Sequence, residues 1–259
     1  MGTVMHQTQH ALLLIHGAWA GRWVWDAIQP EFAARGLDAY AVDLPGNGTD
    51  QIPADAVNLK RYLDYLTDVA EQIPGRITLV AHSGAGVIAM ALAERMPERI
   101  EALVIIAGMM LPSGMSFGDL ISRLQTQHPE VSGINPYLLW NDDHSASRVP
   151  VIAARDIFFN DLDDETAISA AQKLTAQPEG GKTLVAHWSE ERAGRIPRLY
   201  IEAQQDRSVV LVLQRTMQAL VPGAVVVSLN AGHAPQVSMP QRVAAEIDQF
   251  LRTQVAQVA

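Results

Sequence analysis

Ser83, Asp206 and His233 are the residues of this 259-residue chain whose types and positions could do chemistry together. Ser83 lies where an apolar, strand-like run over 77–81 breaks at His82-Ser83-Gly84 and gives way to small and apolar residues of helical character. A serine on a sharp strand-to-helix turn has its hydroxyl lifted clear of the sheet edge. The helix start beside it turns free N–H groups toward whatever the hydroxyl attacks. The simpler alternative is a small residue closing a tight turn. A serine hydroxyl is a poor nucleophile at neutral pH and needs a base within hydrogen-bond reach. Of the eight histidines, His233 follows the apolar run 224–229 in the loop Asn230-Ala231-Gly232-His233. That places it at the carboxyl end of a strand, where Ser83 also stands and where open α/β sheets bind ligands. Asp206 ends the run LYIEAQQD and could orient the imidazole, or could serve only as a loop carboxylate or helix cap.

Acyl transfer also needs donors for the negative oxygen that develops on the attacked carbonyl. Gly84 N–H, which follows the serine, is one donor, and Ala18 N–H is the second, in the turn His16-Gly17-Ala18-Trp19 after the first apolar run. Trp19, His82, Trp140, Phe158 and Trp188 are candidate substrate contacts, with Phe159 and the run Met109-Met110-Leu111 as further apolar liners. Each of these aromatics alone is an ordinary core residue; as a group they point to a bulky hydrophobic or aromatic substrate.

The elements that must position these groups follow from periodicity. Strand-like runs over 11–16, 38–44, 77–81, 102–107, 199–203 and 224–229 alternate with helical patterns over 24–35, 59–73, 86–96, 210–220 and 241–254. That alternation predicts a mostly parallel, doubly wound sheet. From 109 to 195 the strand-like runs give way to breakers and charges, with helical stretches at 120–125 and 165–176. Such a length is too great for a plain loop, so the reading is an inserted helical cap at 109–195 within a core formed by 1–108 and 196–259. The aspartates at 142, 143, 156, 161, 163 and 164 all fall in that insertion, without a strand end to hold them.

Composition narrows the function classes. A hydrophobic fraction of 48% argues for a real core. The absence of cysteine excludes disulfides, thiol catalysis and thiolate metal sites and is compatible with the cytoplasm. A net charge of −9 without a basic cluster disfavours nucleic acid and anionic membranes as partners. The polar start MGTVMHQTQH shows no signal-peptide pattern. Neither G-x-x-x-x-G-K-[ST] nor G-x-G-x-x-G occurs, and no cofactor and no metal are expected.

The motifs LLLIHGAWAGRWVWD, VDLPGNG, VAHSGAG, FFNDLDDE, IPRLYIEAQQD and AGHAPQVSMPQRVAAEI together resemble the α/β-hydrolase-fold esterases. They are similar to the group that holds plant methyl-salicylate and methyl-jasmonate esterases, hydroxynitrile lyases and bacterial pyrethroid hydrolases. The resemblance implies Ser83 as nucleophile, His233 as base, Asp206 as acid, and Ala18 and Gly84 as oxyanion amides. It implies a small-molecule ester as substrate, and the chain is expected as a monomer or homodimer. The lyases of that group carry threonine and lysine where Ala18 and Ala234 stand here, which disfavours lyase chemistry. The usual elbow glycines are replaced by Ala81 and Ala85. Other readings on the same fold are a non-hydrolytic small-molecule receptor and a lactone or carbon–carbon bond hydrolase.

Overall fold

A computed structural model describes residues 10–48, 50 and 52–255. The polar start therefore lies outside the described residues, apart from His10, and so do the last four residues. The strands in chain order are β1 (Ala11–Ile15), β2 (Asp38–Ala41), β3 (Ile77–His82), β4 (Ile100–Ile106), β5 (Leu139–Trp140), β6 (Ala146–Arg148), β7 (Gln177–Pro178), β8 (Arg198–Ala203) and β9 (Val225–Leu229). The helices are α1 (Gln29–Ala33), α2 (Leu59–Gln72), α3 (Ala85–Arg95), α4 (Phe117–Leu124), α5 (Val151–Phe158), α6 (Asp164–Gln172), α7 (Leu211–Leu220), α8 (Pro235–Ser238) and α9 (Pro240–Phe250).

Six parallel strands form one sheet in the order β2-β1-β3-β4-β8-β9. Alternate side chains go to opposite faces, as the two-residue period requires. Leu13, Ile15, Leu79 and Leu103 pack with α2, α3 and α7, while Leu12, Leu14, Val80 and Val104 pack with α1 and α9. Burial on both faces explains why these strands read as continuous apolar runs. The chain leaves β1 for β2 on one side and returns for β3 on the other, so the strand order reverses at β1 and β3. Their carboxyl ends flank the crevice where ligands of such sheets bind.

Helix α3 is apolar all round and fully enclosed from Ala85 to Ala93. It ends just before Pro97, which cannot continue a helix. Helix α2 starts at the Asn58 cap, whose side chain accepts from Arg61 N. Its fully buried stripe is Tyr62, Leu66 and Ala70. Leu59, Leu63 and Val69, which the periodicity places on one face with Leu66 and Ile73, are only partly buried.

Two expectations need correction. The helix predicted over 24–35 is instead a short 3-10 turn (Arg22–Trp25) and the brief α1. Pro30 lacks the N–H that an uninterrupted helix would need, and it starts α1 afresh in the first turn. The long segment between β4 and β8 is not purely helical, since β5, β6 and β7 form a three-stranded antiparallel sheet. These strands are two or three residues long. Helices α5 and α6 of this segment pack with Trp19 and Ala234, which belong to loops after β1 and β9. The segment therefore touches the carboxyl edge of the main sheet.

Candidate active site

Strand β3 delivers Ser83 and helix α3 begins two residues later. Ser83 has φ 56°, a left-handed conformation that costs a non-glycine residue about 1–2 kcal/mol. Backbone bonds hold it there. Ser83 N donates to Ile106 O at 3.1 Å, and Ser83 O accepts from Met109 N at 2.9 Å and Gly86 N at 3.1 Å. The turn needs small neighbours, and at the two elbow positions where glycine is usual alanine suffices. Ala81 is extended and Ala85 helical, neither at positive φ, so alanine meets the backbone requirement at both. The close approaches are at Gly86, where a Cβ would run into Met109 O, and at Gly17, where it would lie 2.8 Å from Ser83 Cβ.

His233 and Asp206 reach Ser83 from the ends of β9 and β8. Ser83 Oγ–H donates to His233 Nε2 at 3.1 Å, and His233 Nδ1–H donates to Asp206 Oδ2 at 2.8 Å. Both partners are buried, at 4% and 5% exposure. Asp206 serves two ends at once. Its Oδ1 accepts from Ser208 N at 2.7 Å and Val209 N at 2.9 Å, which makes the turn expected of a capping carboxylate. Its Oδ2 is left for the histidine, with Gln214 Nε2 a further donor at 3.4 Å. Ala18 and Gly84 both border the same cavity as Ser83. Among the described residues, neither amide N–H has a protein acceptor. The arrangement can move a proton from hydroxyl to imidazole and hold a negative oxygen beside it.

Ser83 lines a cavity of about 330 Å³. Its apolar wall includes Val87, Ile88, Met109, Phe117, Ile121 and Leu184. A second compartment of about 30 Å³ also borders Ser83, and there His233, Phe158, Phe159 and Ala234 form the wall. Trp19 lines both compartments, with its ring 6.0 Å from that of Phe158.

Three expected substrate contacts are placed differently. Trp140 lies on β5, half exposed, with its ring facing His144 and the Lys182 ammonium rather than either cavity. Trp188 is tied back by Nε1–H donating to Leu111 O at 3.0 Å and packs into the core with Met110. His82 borders the smaller compartment, but its Nε2–H donates to His233 O at 2.8 Å, so its ring braces the loop of the base. Among the other described histidines, His16 borders the large cavity, and the rest lie away from both compartments. His10 pairs with Glu101, His16 accepts from Leu44 N, and His128 pairs with Glu130 at the surface. His144 faces Trp140, and the His187 ring approaches Gly114.

Sequence reasoning missed the buried network that fixes the Ala18 turn. Trp19 has φ 61°, and its N–H donates to Gln177 Oε1 at 3.0 Å. Gln177 Oε1 also accepts from Asn47 Nδ2 at 2.9 Å, and Gln177 Nε2 donates to the Tyr62 hydroxyl at 3.3 Å. Burial pushes that phenol up to about 12, which keeps it protonated. The only local signal was a turn-like HGAW; the partners come from distant segments.

His82 and His16 set an acid limit on stability. Burial, then the neighbouring His233, pushes the His82 imidazole down to about 3, and burial also lowers His16. In the unfolded chain both titrate near the ordinary value of about 6.5. The unfolded state therefore binds more protons between those values. Stability is complete above about pH 6.5 and is lost as pH falls toward the folded-state value. His82 alone is expected to remove about 2 kcal/mol between pH 7.5 and 5, read from urea midpoints. His82→Gln, which keeps a donor for the His233 carbonyl, should shrink that drop. An undiminished drop would place the acid sensitivity elsewhere.

Among the described residues, no helix is long and apolar enough to cross a membrane. The sequence pattern of the alpha/beta hydrolase family matches residues 12–246. A pyrethroid hydrolase of Sphingobium wenxiniae is 30% identical over 246 residues, which span 92% of this chain and 86% of that protein. Methylesterase 7 of Arabidopsis thaliana is 25% identical over 257 residues, covering 92% of this chain and 94% of that one. A crystal structure of a pyrethroid hydrolase superposes with a TM-score of 0.82 at 26% identity, covering 95% of this chain and 98% of that one.

Proposed function

From the chain's membership of the alpha/beta hydrolase family we propose that it is a serine carboxylesterase acting on esters of hydrophobic or aromatic acids. The observation that carries this reading is the hydrogen-bonded chain Ser83–His233–Asp206 beside an apolar cavity and two amides without acceptors. The relatedness to a pyrethroid hydrolase and a methylesterase supports it.

Ser83 Oγ attacks the ester carbonyl carbon while His233 Nε2 takes the hydroxyl proton. The carbonyl π electrons move to oxygen, where the Ala18 and Gly84 N–H groups donate to the oxyanion. Asp206 keeps the Nδ1–H tautomer and stabilises the imidazolium. Collapse of the tetrahedral species breaks the bond to the alcohol oxygen, which receives the proton from His233. Water then repeats the sequence on the acyl-enzyme and releases the acid. A fluorophosphonate probe tests the activated serine directly. Covalent labelling at Ser83 supports the enzyme reading, whereas stoichiometric binding of an ester without labelling or turnover would favour a receptor.

The unequal compartments support a finer assignment. His233 must reach the leaving oxygen, and His233 lines only the smaller compartment. The alcohol part is thus assigned to the space of about 30 Å³, which suits a methyl or ethyl group, and the acyl part to the space of about 330 Å³. Methyl esters of bulky apolar acids should show a kcat/KM at least about tenfold above benzyl esters of the same acids. Phe159→Ala, which widens the small compartment, should erase most of that preference. Equal rates on both esters in the unmodified protein would reverse the assignment. We also assign residues 109–195 as a lid over the core, since α4, the segment around Gln177–Lys182 and α5 furnish walls of both compartments.

A further inference from the structure

We propose that Asp161, together with Asn160, is a positioning residue that holds the loops of the acid and the base in line with Ser83. This rests on the triad reading above. The two residues follow α5 and belong to the segment between β4 and β8, not to the sheet that carries the triad. Asn160 Nδ2–H donates to Gln205 O at 3.1 Å, and Asp161 Oδ2 accepts from Gly232 N–H at 2.7 Å. Gln205 immediately precedes Asp206, and Gly232 immediately precedes His233. Adjacent residues of one segment therefore grip the main chain one residue before each of the two partners.

The grip has the strength and the cost of a positioning device. A backbone N–H held by a carboxylate is a charge-assisted bond, stronger than one to a neutral oxygen. The second oxygen of Asp161 and the side-chain oxygen of Asn160 are buried without a donor. Both lie near the point where a Cβ on Gly232 would sit, at 2.5 Å and 2.7 Å, so the main chain is pressed close against them. Buried acceptors without donors reduce stability. An asparagine at 161 would keep an acceptor oxygen for Gly232 N–H but lack the charge. The carboxylate supplies a charge-assisted hold on the residue before His233. His82, from the end of β3, holds the His233 carbonyl at 2.8 Å. The imidazole is thus fixed through its own main chain between core and insertion.

The test compares Asp161→Ala, Asp161→Asn and Gly232→Ala with the unmodified full-length protein. The readouts are kcat and KM on a p-nitrophenyl ester, the rate of fluorophosphonate labelling, and thermal unfolding. Asp161→Ala is expected to lower kcat and the labelling rate by about 10–100-fold, with KM changed less than about threefold, since small misplacements act on the chemical step. Asp161→Asn should restore kcat to within about threefold, because its amide oxygen still accepts from Gly232 N–H. Gly232→Ala, whose Cβ would spread the grip while keeping the carboxylate, should repeat the Asp161→Ala loss and serves if that variant does not fold. A kcat for Asp161→Ala near that of the unmodified protein, a loss confined to KM, or Asp161→Asn as slow as Asp161→Ala would each overturn the proposal. Failure of the unmodified protein to label at Ser83 would instead remove the triad reading beneath it.

Discussion

Ser83→Ala is expected to lower kcat on a p-nitrophenyl ester by about 10⁵–10⁶-fold, close to the level that bound substrate and oxyanion donors reach without a nucleophile. The size follows from what the side chain does alone. No other hydroxyl receives a hydrogen bond from, or gives one to, His233 among the described residues. Water admitted in place of Oγ would lack the fixed 3.1 Å contact with Nε2. The fold should survive the change. Alanine and serine bear the φ of 56° at similar cost, and the bonds that hold the turn use only the main chain of residue 83. The thermal midpoint should therefore stay within a few degrees while ester binding in the large cavity persists. A folded Ser83→Ala protein that retains a tenth of the original kcat would remove Ser83 as nucleophile.

Much of this site was legible because its signals are local. A strand running into a serine turn and then a small-residue helix is a continuous pattern, and the packing around α3 explains why those residues must be small and apolar. Asp206 and His233 were legible by position, as polar residues at the ends of apolar runs in a sheet whose strands all point the same way. Direction was not legible. Trp140 and Trp188 are of the right type for an apolar pocket, but residue type does not tell which way a ring faces, and both face away. The small sheet of the insertion escaped because two or three residues cannot display a period of two. Gln177 escaped for another reason. Its role depends on Asn47, Tyr62 and Trp19, which a chain reading cannot bring beside it. The break before α1 is legible at Pro30, because the apolar spacing on either side of it cannot restore the missing N–H.

Asp206→Asn carries the second large effect, and its cause is the tautomer of His233. In the native site Oδ1 accepts from Ser208 N and Val209 N, and Oδ2 accepts from His233 Nδ1–H. An amide at 206 has one oxygen, and the two backbone N–H groups claim it. The new NH2 then faces His233 Nδ1 and Gln214 Nε2, which is itself a donor tied to Ala203 O and Val209 O. The only way to avoid opposed donors at the imidazole is to remove the proton from Nδ1 and place it on Nε2. In that tautomer His233 can donate to Ser83 Oγ but cannot accept its proton. The expected loss is about 10⁴-fold in kcat at neutral pH, with KM little changed. Nuclear magnetic resonance of the imidazole nitrogens should show the proton on Nε2 in this variant and on Nδ1 in the unmodified protein. A folded Asp206→Asn protein that keeps kcat within tenfold would mean that Asp206 only closes its turn, and that His233 takes its orientation from the grip at Gly232 and His82 alone.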